Sequence, residues 1–170
     1  MSFSFGAGGG ATVARLNQLT GWGAYSDTTY TSVSPFSIIA DTDTVLPNNN
    51  GSTITSQVPS DVATFYDGSV ITGRNGDGLL ITVDMVSKPT EVATTSLELW
   101  FDIGGAIGEL YRRIVTFPKG NGVSRPINFT TNVYTLDTWE ANGATVYVRA
   151  NGACDIYDIR YVIARTHKAI

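Results

Sequence analysis

The chain has 170 residues, of which 42% are hydrophobic and 15% are charged, and its formal net charge at pH 7 is −4. This length suits one domain that folds without disulfides or a metal. The single cysteine, Cys154, excludes an intrachain disulfide and is expected to be a small buried hydrophobe. The negative charge argues against nucleic-acid binding. No apolar run approaches the roughly 18 residues of a membrane span, and the N-terminus lacks the pattern of a secretory signal.

The first 23 residues differ in composition from the rest and predict an N-terminal arm. Gly6 and 8–10 relax the backbone and indicate a flexible segment. Apolar residues precede these glycines and then recur every three positions, as on one face of a short helix or irregular arm. We therefore divide the chain into an arm, 1–23, and a body, 24–170. The apolar residues of the arm are Phe3, Phe5, Val13, Leu16, Leu19 and Trp22.

From residue 24 onward the pattern is typical of short strands, with turn signals every 8–15 residues. The clearest strand is 97–103, where apolar residues alternate with polar ones and Trp100. The tandem turn dipeptides of 75–78 predict a hairpin. Near Asp158 we predict a β-bulge, because Ile156 leaves the parity of the residues that follow. The other predicted strands are 35–40, 79–87, 110–117, 125–131, 144–150 and 154–165.

About eight strands, with no helix longer than two turns after residue 23, favour an all-β fold. The spacing is typical of an antiparallel, jelly-roll-like β-sandwich behind a short glycine-rich arm. Parallel strands need long crossover connections, usually helical, so the pattern excludes a parallel α/β fold.

The sequence offers few catalytic groups. The only histidine, His167, is three residues from the C-terminus and is expected to be an exposed tail residue. Glu98 and Asp102 lie on one strand about 13 Å apart, too far for an acid–base pair. Asp84 with Glu98 across strands is conceivable as a glycosidase pair, but a solvated strand face explains them more simply. We therefore expect no catalytic residue and no enzymatic activity.

Two groups of turn residues carry oxygen ligands suitable for calcium. Asp41 and Asp43 form one group, and Asn75 and Asp77 form the other. Neither has the spaced ligand set of a calcium loop, and Asn and Asp usually serve turn geometry. The glycines of the arm lack the following Gly-Lys-Ser/Thr of a nucleotide loop. We expect no metal and no cofactor.

Aromatic residues suggest either sugar-stacking platforms or subunit interfaces. Trp100 is the sharpest case, because strand parity places it opposite the core face of Leu99 and Phe101. An outward tryptophan is expected to pack against another subunit, a covering loop or a second core layer. We predict that Trp100 lies in a subunit interface. The other candidates are Trp22, Tyr25, Tyr30, Phe65, Tyr66, Trp139 and Tyr147.

Charge is distributed unevenly along the chain. Residues 1–109 hold 11 acidic and 3 basic residues, which gives −8, and residues 110–170 hold 4 acidic and 8 basic residues, which gives +4. Such an asymmetry can supply complementary patches between subunits.

Residues 22–168 resemble small all-β virion proteins of tailed bacteriophages. The resemblance implies a jelly-roll protein that trimerises and coats a capsid, or that forms the head of a fibre. It implies no catalytic residue. The segments that carry it are Trp22–Tyr30, Phe65–Ser69, Gly73–Gly78, Trp100–Gly104 and Tyr134–Trp139.

From this resemblance we expect a capsid decoration (cement) protein that binds the major capsid protein as a homotrimer. It would be made in the host bacterial cytoplasm and lie on the virion surface, without membrane or nucleic-acid partners. The alternative is a receptor-binding fibre head that recognises a glycan through exposed Trp and Tyr residues, and a carbohydrate-active enzyme is a third hypothesis. The predicted capsid anchors are Phe3, Phe5, Leu16, Leu19 and Trp22.

Overall fold

Alternating apolar and polar side chains make nearly all of the regular structure extended. The computed structural model describes residues 19–118 and 122–169, and no helix in these ranges is long and apolar enough to cross a membrane. In chain order the elements are β1 (Gly21–Ser26), β2 (Phe36–Ile38), β3 (Thr44–Val45), β4 (Ser52–Ile54), β5 (Gly78–Pro89), β6 (Ser96–Asp102), β7 (Glu109–Thr116), β8 (Arg125–Tyr134), α1 (Asp137–Asn142), β9 (Thr145–Ala150) and β10 (Cys154–His167).

The strands form two antiparallel sheets. The larger sheet has the order β4-β1-β10-β5-β8, with β2 also paired to β10, and the smaller has the order β3-β9-β6-β7. The chain changes sheet on either side of β3, between β5 and β6, between β7 and β8, and on either side of β9. This arrangement is a jelly-roll-like β-sandwich, so the fold class predicted from the sequence is confirmed.

The inward faces of the two sheets form the core. Apolar residues of β5 and β6 point inward at every second position, as a half-buried strand requires. Trp139 of α1 closes one end of the core, and its indole Nε1 donates a hydrogen bond to the carbonyl of Ile71 at 2.9 Å. Burial of each large apolar side chain contributes about 1.5–3 kcal/mol. The buried residues of β5 and β6 include Leu79, Ile81, Val83, Met85, Leu97, Leu99 and Phe101.

The predicted bulge near Asp158 is confirmed. Asp158 has a φ of 53°, and the register between β10 and β5 shifts between Tyr157 and Arg160. The extra residue lets Ile156 and Ile159 both face the core, where each is at most 1% exposed. β1 pairs with β10 after the bulge and β2 pairs with it before the bulge, so the bulge marks the corner between them.

Two local predictions differ from the structure. The turn at 75–78 forms, but it makes no hairpin. The amide of Gly76 bonds the carbonyl of Thr135, and β5 pairs with β8 and β10. The arm boundary at residue 23 falls inside β1, whose pairing with β10 begins opposite Gly21. The glycines that indicated the arm, Gly6 and 8–10, lie outside the described residues.

Candidate binding surfaces

The structure describes two of the five predicted capsid anchors. Leu19 and Trp22 are 45% and 37% exposed. Trp22 shares the outer face of the larger sheet with Ile54, because Ile54 pairs with Ala24 two residues along β1. This places two exposed apolar side chains near the point where the chain enters the body. The remaining anchors lie outside the described residues, and their role stays a prediction: Phe3, Phe5 and Leu16.

The chain enters the body beside a buried arginine. Arg165, near the end of β10, has a side chain with 0% exposure. Its Nε donates to the carbonyl oxygen of Leu19 at 3.2 Å. Its two terminal nitrogens donate to Asp61 at 2.8 Å and to Asp77, itself 2% exposed, at 3.3 Å. Arg165 therefore ties the start of β1, the loop before β5 and the end of β10 together.

Asp61 is the shared acceptor of this Arg165 cluster. Arg74 and Lys168 each lie 2.8 Å from its carboxylate. Hydrogen bonds from Arg165 hold the pKa of Asp61 far below its usual range, even though burial acts in the opposite direction, and Lys168 lowers it further. The Asp61 carboxylate is therefore ionised at any pH at which the protein would operate.

A cavity of about 240 Å³ adjoins the Arg165 cluster. Asp61 and Asp77 at its wall are already bonded to Arg165, so the cavity offers a ligand mainly apolar surface. Its apolar wall is formed by Val62, Ala63, Phe65 and Leu79.

Trp100 points away from the core, as its parity predicts, yet it is only 3% exposed. Its ring stacks on Tyr147 of β9, with centroids 5.6 Å apart and an interplanar angle of 13°. The guanidinium carbon of Arg112 lies 3.9 Å from the Trp100 ring centroid. Arg112 is held there by ion pairs with Glu98 and Glu109. The cover of Trp100 comes from its own chain.

Of the alternatives considered for Trp100, the structure shows cover from its own chain, and the predicted subunit-interface role stays a prediction. The register between β6 and β7 shifts opposite Trp100, and Tyr111 takes a positive φ of 57°. This bulge in β7 accompanies the placement of Arg112 over the ring. A second subunit at this place would contact Arg112 and Tyr147, which cover the Trp100 ring. Such a contact stays a prediction.

Each sheet has one short and one long edge. The short edges are β3 and β4, with two and three residues, and the long edges are β7 and β8, with eight and ten. In the described part of the chain, β7 pairs only with β6 and β8 only with β5. A long open edge is a surface on which another chain can pair. Tyr111, Ile114 and Tyr134 on these strands are 42%, 60% and 69% exposed.

A cleft of about 410 Å³ opens between the end of β7 and the start of β8. Arg125 lies in its wall, on the inward-facing side of β8, because it pairs with the buried Ser87. The Nε of Arg125 is buried and has no hydrogen-bond partner. A buried donor without a partner costs about 1–3 kcal/mol, and more when it is charged. The apolar walls are Val115, Phe117, Pro118, Pro126 and Ile127.

The two carboxylates considered for catalysis, Asp84 and Glu98, lie on different sheets and have different partners. Asp84 is on the outer face of the larger sheet, where it accepts a hydrogen bond from Asn128 at 2.6 Å. Glu98 is on the outer face of the smaller sheet, bound to Arg112. The two therefore lie on opposite sides of the sandwich and form no acid–base pair, so the cross-strand pair considered from the sequence is wrong.

The remaining chemical groups have structural surroundings. His167 is exposed as predicted, but it belongs to β10, opposite Gly78, and not to a tail. Cys154 is 1% exposed, and burial raises the pKa of its thiol. Its Sγ lies 2.9 Å from Ser87 Oγ. Burial of Cys154 is thus confirmed.

Three of the acidic side chains considered as calcium ligands form ion pairs with arginines of the same chain. Arg149 lies 3.3 Å from Asp41 and 3.4 Å from Asp43, and Asp77 binds Arg165. Among the residues that the structure describes, no group of three or more His, Cys, Asp or Glu residues is placed to hold a metal. That no metal is needed stays a prediction.

Most of the aromatic residues considered as stacking platforms are in the core. Only Trp22, at 37% exposed, presents a substantially open ring among the eight. The buried ones, which offer no surface to a sugar, are Tyr25, Phe65, Tyr66, Trp100 and Trp139.

No family model matches the sequence, and no curated protein is significantly similar to it. Among solved structures, the chain is similar to an Eiger TNF from S. frugiperda (TM-score 0.50, 12% identity, covering 88% of this chain and 96% of that one). It is also similar to the PRD1 vertex protein P5 (TM-score 0.47, 16% identity, 89% and 74%). A third similarity is to a chain of the Cowpea Mosaic Virus empty virus-like particle (TM-score 0.30, 14% identity, 88% and 79%).

At these identities the similarities describe the fold and not the function. The match at a TM-score of 0.50 agrees with the jelly-roll-like sandwich. The other two structures named here are, by their titles, a vertex protein and an empty virus-like particle, but their TM-scores are below 0.5 and they support no argument about this chain.

Sequence reasoning missed the buried Arg165 and the half-buried Arg125, whose Nε is buried. Arg165 has the same parity as Tyr161 and Ile163, which are buried in β10, so a charged residue on a core-facing position was a readable signal. Its partners were not readable, because Asp61 and Asp77 are 104 and 88 residues away in the chain.

Proposed function

We propose that this chain is a structural protein of a bacteriophage virion that decorates the capsid as a homotrimer. The resemblance of residues 22–168 to small virion proteins suggests the setting. The observation that carries the proposal is a separation of two candidate contact surfaces on one body. A decoration protein needs one surface for its own copies and another for the lattice beneath it.

The two surfaces lie at opposite ends of the sandwich. The chain enters the body at Arg165, which pairs with Leu79 of β5, whereas the β7–β8 cleft lies at Arg125, which pairs with Ser87. Leu79 and Ser87 are separated by eight residues of strand, or about 27 Å. Trimer contacts at the cleft, where β7 ends and β8 begins, therefore leave the arm end free to face a capsid.

The arms would bind together and not singly. Ordering an arm costs roughly 1–2 kcal/mol per residue, and burial of each apolar anchor returns about 1.5–3 kcal/mol. These opposing contributions are comparable only if the residues next to the anchors alone become ordered, because ordering the whole arm would cost more than five anchors return, so one arm binds weakly. Three arms on one trimer raise the effective concentration and bind tightly. The anchors in this proposal are Phe3, Phe5, Leu16, Leu19 and Trp22.

The test is a truncation that removes the arm and spares the body. Deleting residues 1–18 keeps Leu19, whose carbonyl binds Arg165. We expect an unchanged melting temperature and loss of co-sedimentation with empty heads of the bacteriophage from which the chain comes. Full occupancy by the truncated protein would show that the body carries the contact and would remove the arm from the proposal.

A second candidate function is a receptor-binding head that recognises a glycan. The observation in its favour is Tyr134, which is 69% exposed on the long edge strand β8. Binding to a glycan array that is lost in Tyr134→Ala would support this function, provided that Tyr111→Ala on β7 serves as a matched control.

A further inference from the structure

We propose that the cleft between β7 and β8 receives the β5–β6 loop of a second copy of this chain. In this contact Glu91 of one copy binds Arg125 of the next, and Val92 enters the apolar part of the cleft. The inference rests on the proposed homotrimer and specifies the interface that forms it.

The cleft side of the contact is an unsatisfied cation in apolar surroundings. The side chain of Arg125 has no hydrogen bond or ion pair with any residue in the described ranges, and its Nε is buried. The residue as a whole is half-buried, and a guanidinium cannot lose its charge at ordinary pH, so the buried Nε is available to an acceptor that a second copy supplies. A carboxylate fits the donor fork of arginine in bidentate geometry.

The loop side of the contact offers the complementary chemistry. Glu91 is exposed and forms no ion pair within the described part of the chain, and the adjacent Val92 is 59% exposed. The loop has a fixed shape, because the amide of Thr94 donates to the carbonyl of Glu91 at 3.2 Å. Thr94 is itself 0% exposed and donates from Oγ1 to the carbonyl of Ala153 at 2.9 Å.

The loop and the cleft are neighbours at one end of the sandwich. The amide of Phe117, in the cleft wall, donates to the carbonyl of Thr95, at the end of the loop, at 2.7 Å. A rotation axis beside this end therefore brings the loop of one copy to the cleft of the next. Such a head-to-tail contact closes into a ring when the rotation is a whole fraction of a turn.

The charges of the two residues support this pairing. Glu91 is acidic and Arg125 is basic. A contact between unlike charges of identical copies favours the correct register and disfavours the like-charge alternatives.

The test measures the oligomeric state of charge-reversed variants by analytical ultracentrifugation. We expect Arg125→Glu and Glu91→Arg each to raise the dissociation constant of the trimer at least tenfold. The double variant, Glu91→Arg with Arg125→Glu, restores the opposite-charge pair and should recover most of the affinity. Arg160→Glu, on the outer face of the larger sheet, is the matched control and should leave the trimer intact. Melting curves confirm that each variant is folded, and Arg125→Gln and Glu91→Gln replace any variant that is not.

Each outcome has a distinct meaning. Weakened single variants and a recovered double variant support the contact. A wild-type trimer that tolerates both single variants, or a double variant that stays dissociated, overturns this contact but leaves the homotrimer standing. A wild-type chain that is monomeric at micromolar concentration contradicts the homotrimer itself, and the contact with it.

Discussion

Two arginines occupy comparable positions in the sandwich but have different surroundings. Arg165 and Arg125 both project from the inward-facing side of a strand in the larger sheet, near opposite ends. Arg165 has bonds to Asp61, Asp77 and Leu19, whereas the Nε of Arg125 is buried without a partner. This difference is the basis for our proposal that the first arginine stabilises the monomer and that the second lies in a surface for association.

The largest expected effect comes from removing the satisfied arginine. Arg165→Met leaves the carboxylate of Asp77 buried and without its cation, and breaking a buried pair in this way costs about 3–5 kcal/mol. Urea denaturation measures the loss of unfolding free energy. Arg160→Met, an exposed arginine on the same strand, is the matched control and should change stability by less than about 0.5 kcal/mol. Equal small effects in both variants would show that the Arg165 cluster contributes little.

The next effect is the exposure of Trp100. Arg112→Ala removes the cation over the ring together with the ion pairs to Glu98 and Glu109, and a cation–π contact contributes about 0.5–2 kcal/mol. We expect a small loss of stability and a red shift of tryptophan emission as the ring meets water. Arg113→Ala on the same strand should produce neither change. A red shift in both variants would show that β7 as a whole, and not Arg112, covers the ring.

Acid should weaken the Arg165 cluster through Asp61. Because the folded-state pKa of Asp61 is depressed, its contribution is complete above the unfolded value of about 3.9 and is lost as the pH falls below it. Solvent screening limits the contribution to the order of 1 kcal/mol. Urea midpoints between pH 5 and pH 2 should fall less steeply in Asp61→Asn than in the wild type. Parallel slopes would contradict the role assigned to this carboxylate.

The smallest effect on stability is expected for the arginine whose Nε has no partner. Arg125→Met removes a buried donor that has no partner, so we expect the unfolding free energy of the monomer to change by less than about 0.5 kcal/mol or to rise. This measurement is made at a concentration below that of trimer formation. A loss as large as that of Arg165→Met would mean that Arg125 stabilises the monomer and is not reserved for a partner.

Strands in which apolar and polar side chains alternate can be predicted from the sequence. A strand with a weak local pattern, whose partner is far away in the chain, cannot. Strand β6 and the bulge at Asp158 follow from local parity. Strand β1 does not, because Gly21 and Gly23 dilute its apolar pattern and its partner is at the other end of the chain. The sequence also places Trp100 outward correctly, but not the irregularity of β7 beside it.

The candidate surfaces are less predictable than the fold. Exposed apolar residues such as Ile114 and Val92 are visible in the sequence, but their exposure depends on which edges the two sheets leave open. Whether the Nε of Arg125 has a hydrogen-bond partner depends on the positions of all the side chains and carbonyls packed around it. A missing hydrogen bond of this kind is a property of the packed molecule, so no local sequence pattern predicts it.

We propose that this chain lies on a capsid as a trimer, with the end at Leu19 and Arg165 toward the shell. A cryo-electron-microscopy map of the virion that resolves β-sheets tests it most directly. We predict threefold groups of sandwiches on the outer surface of the head, with this end in contact with the capsid and the clefts at Arg125 turned toward neighbouring copies. Sandwich density at the tip of a fibre or tail, with none on the head, would contradict the account.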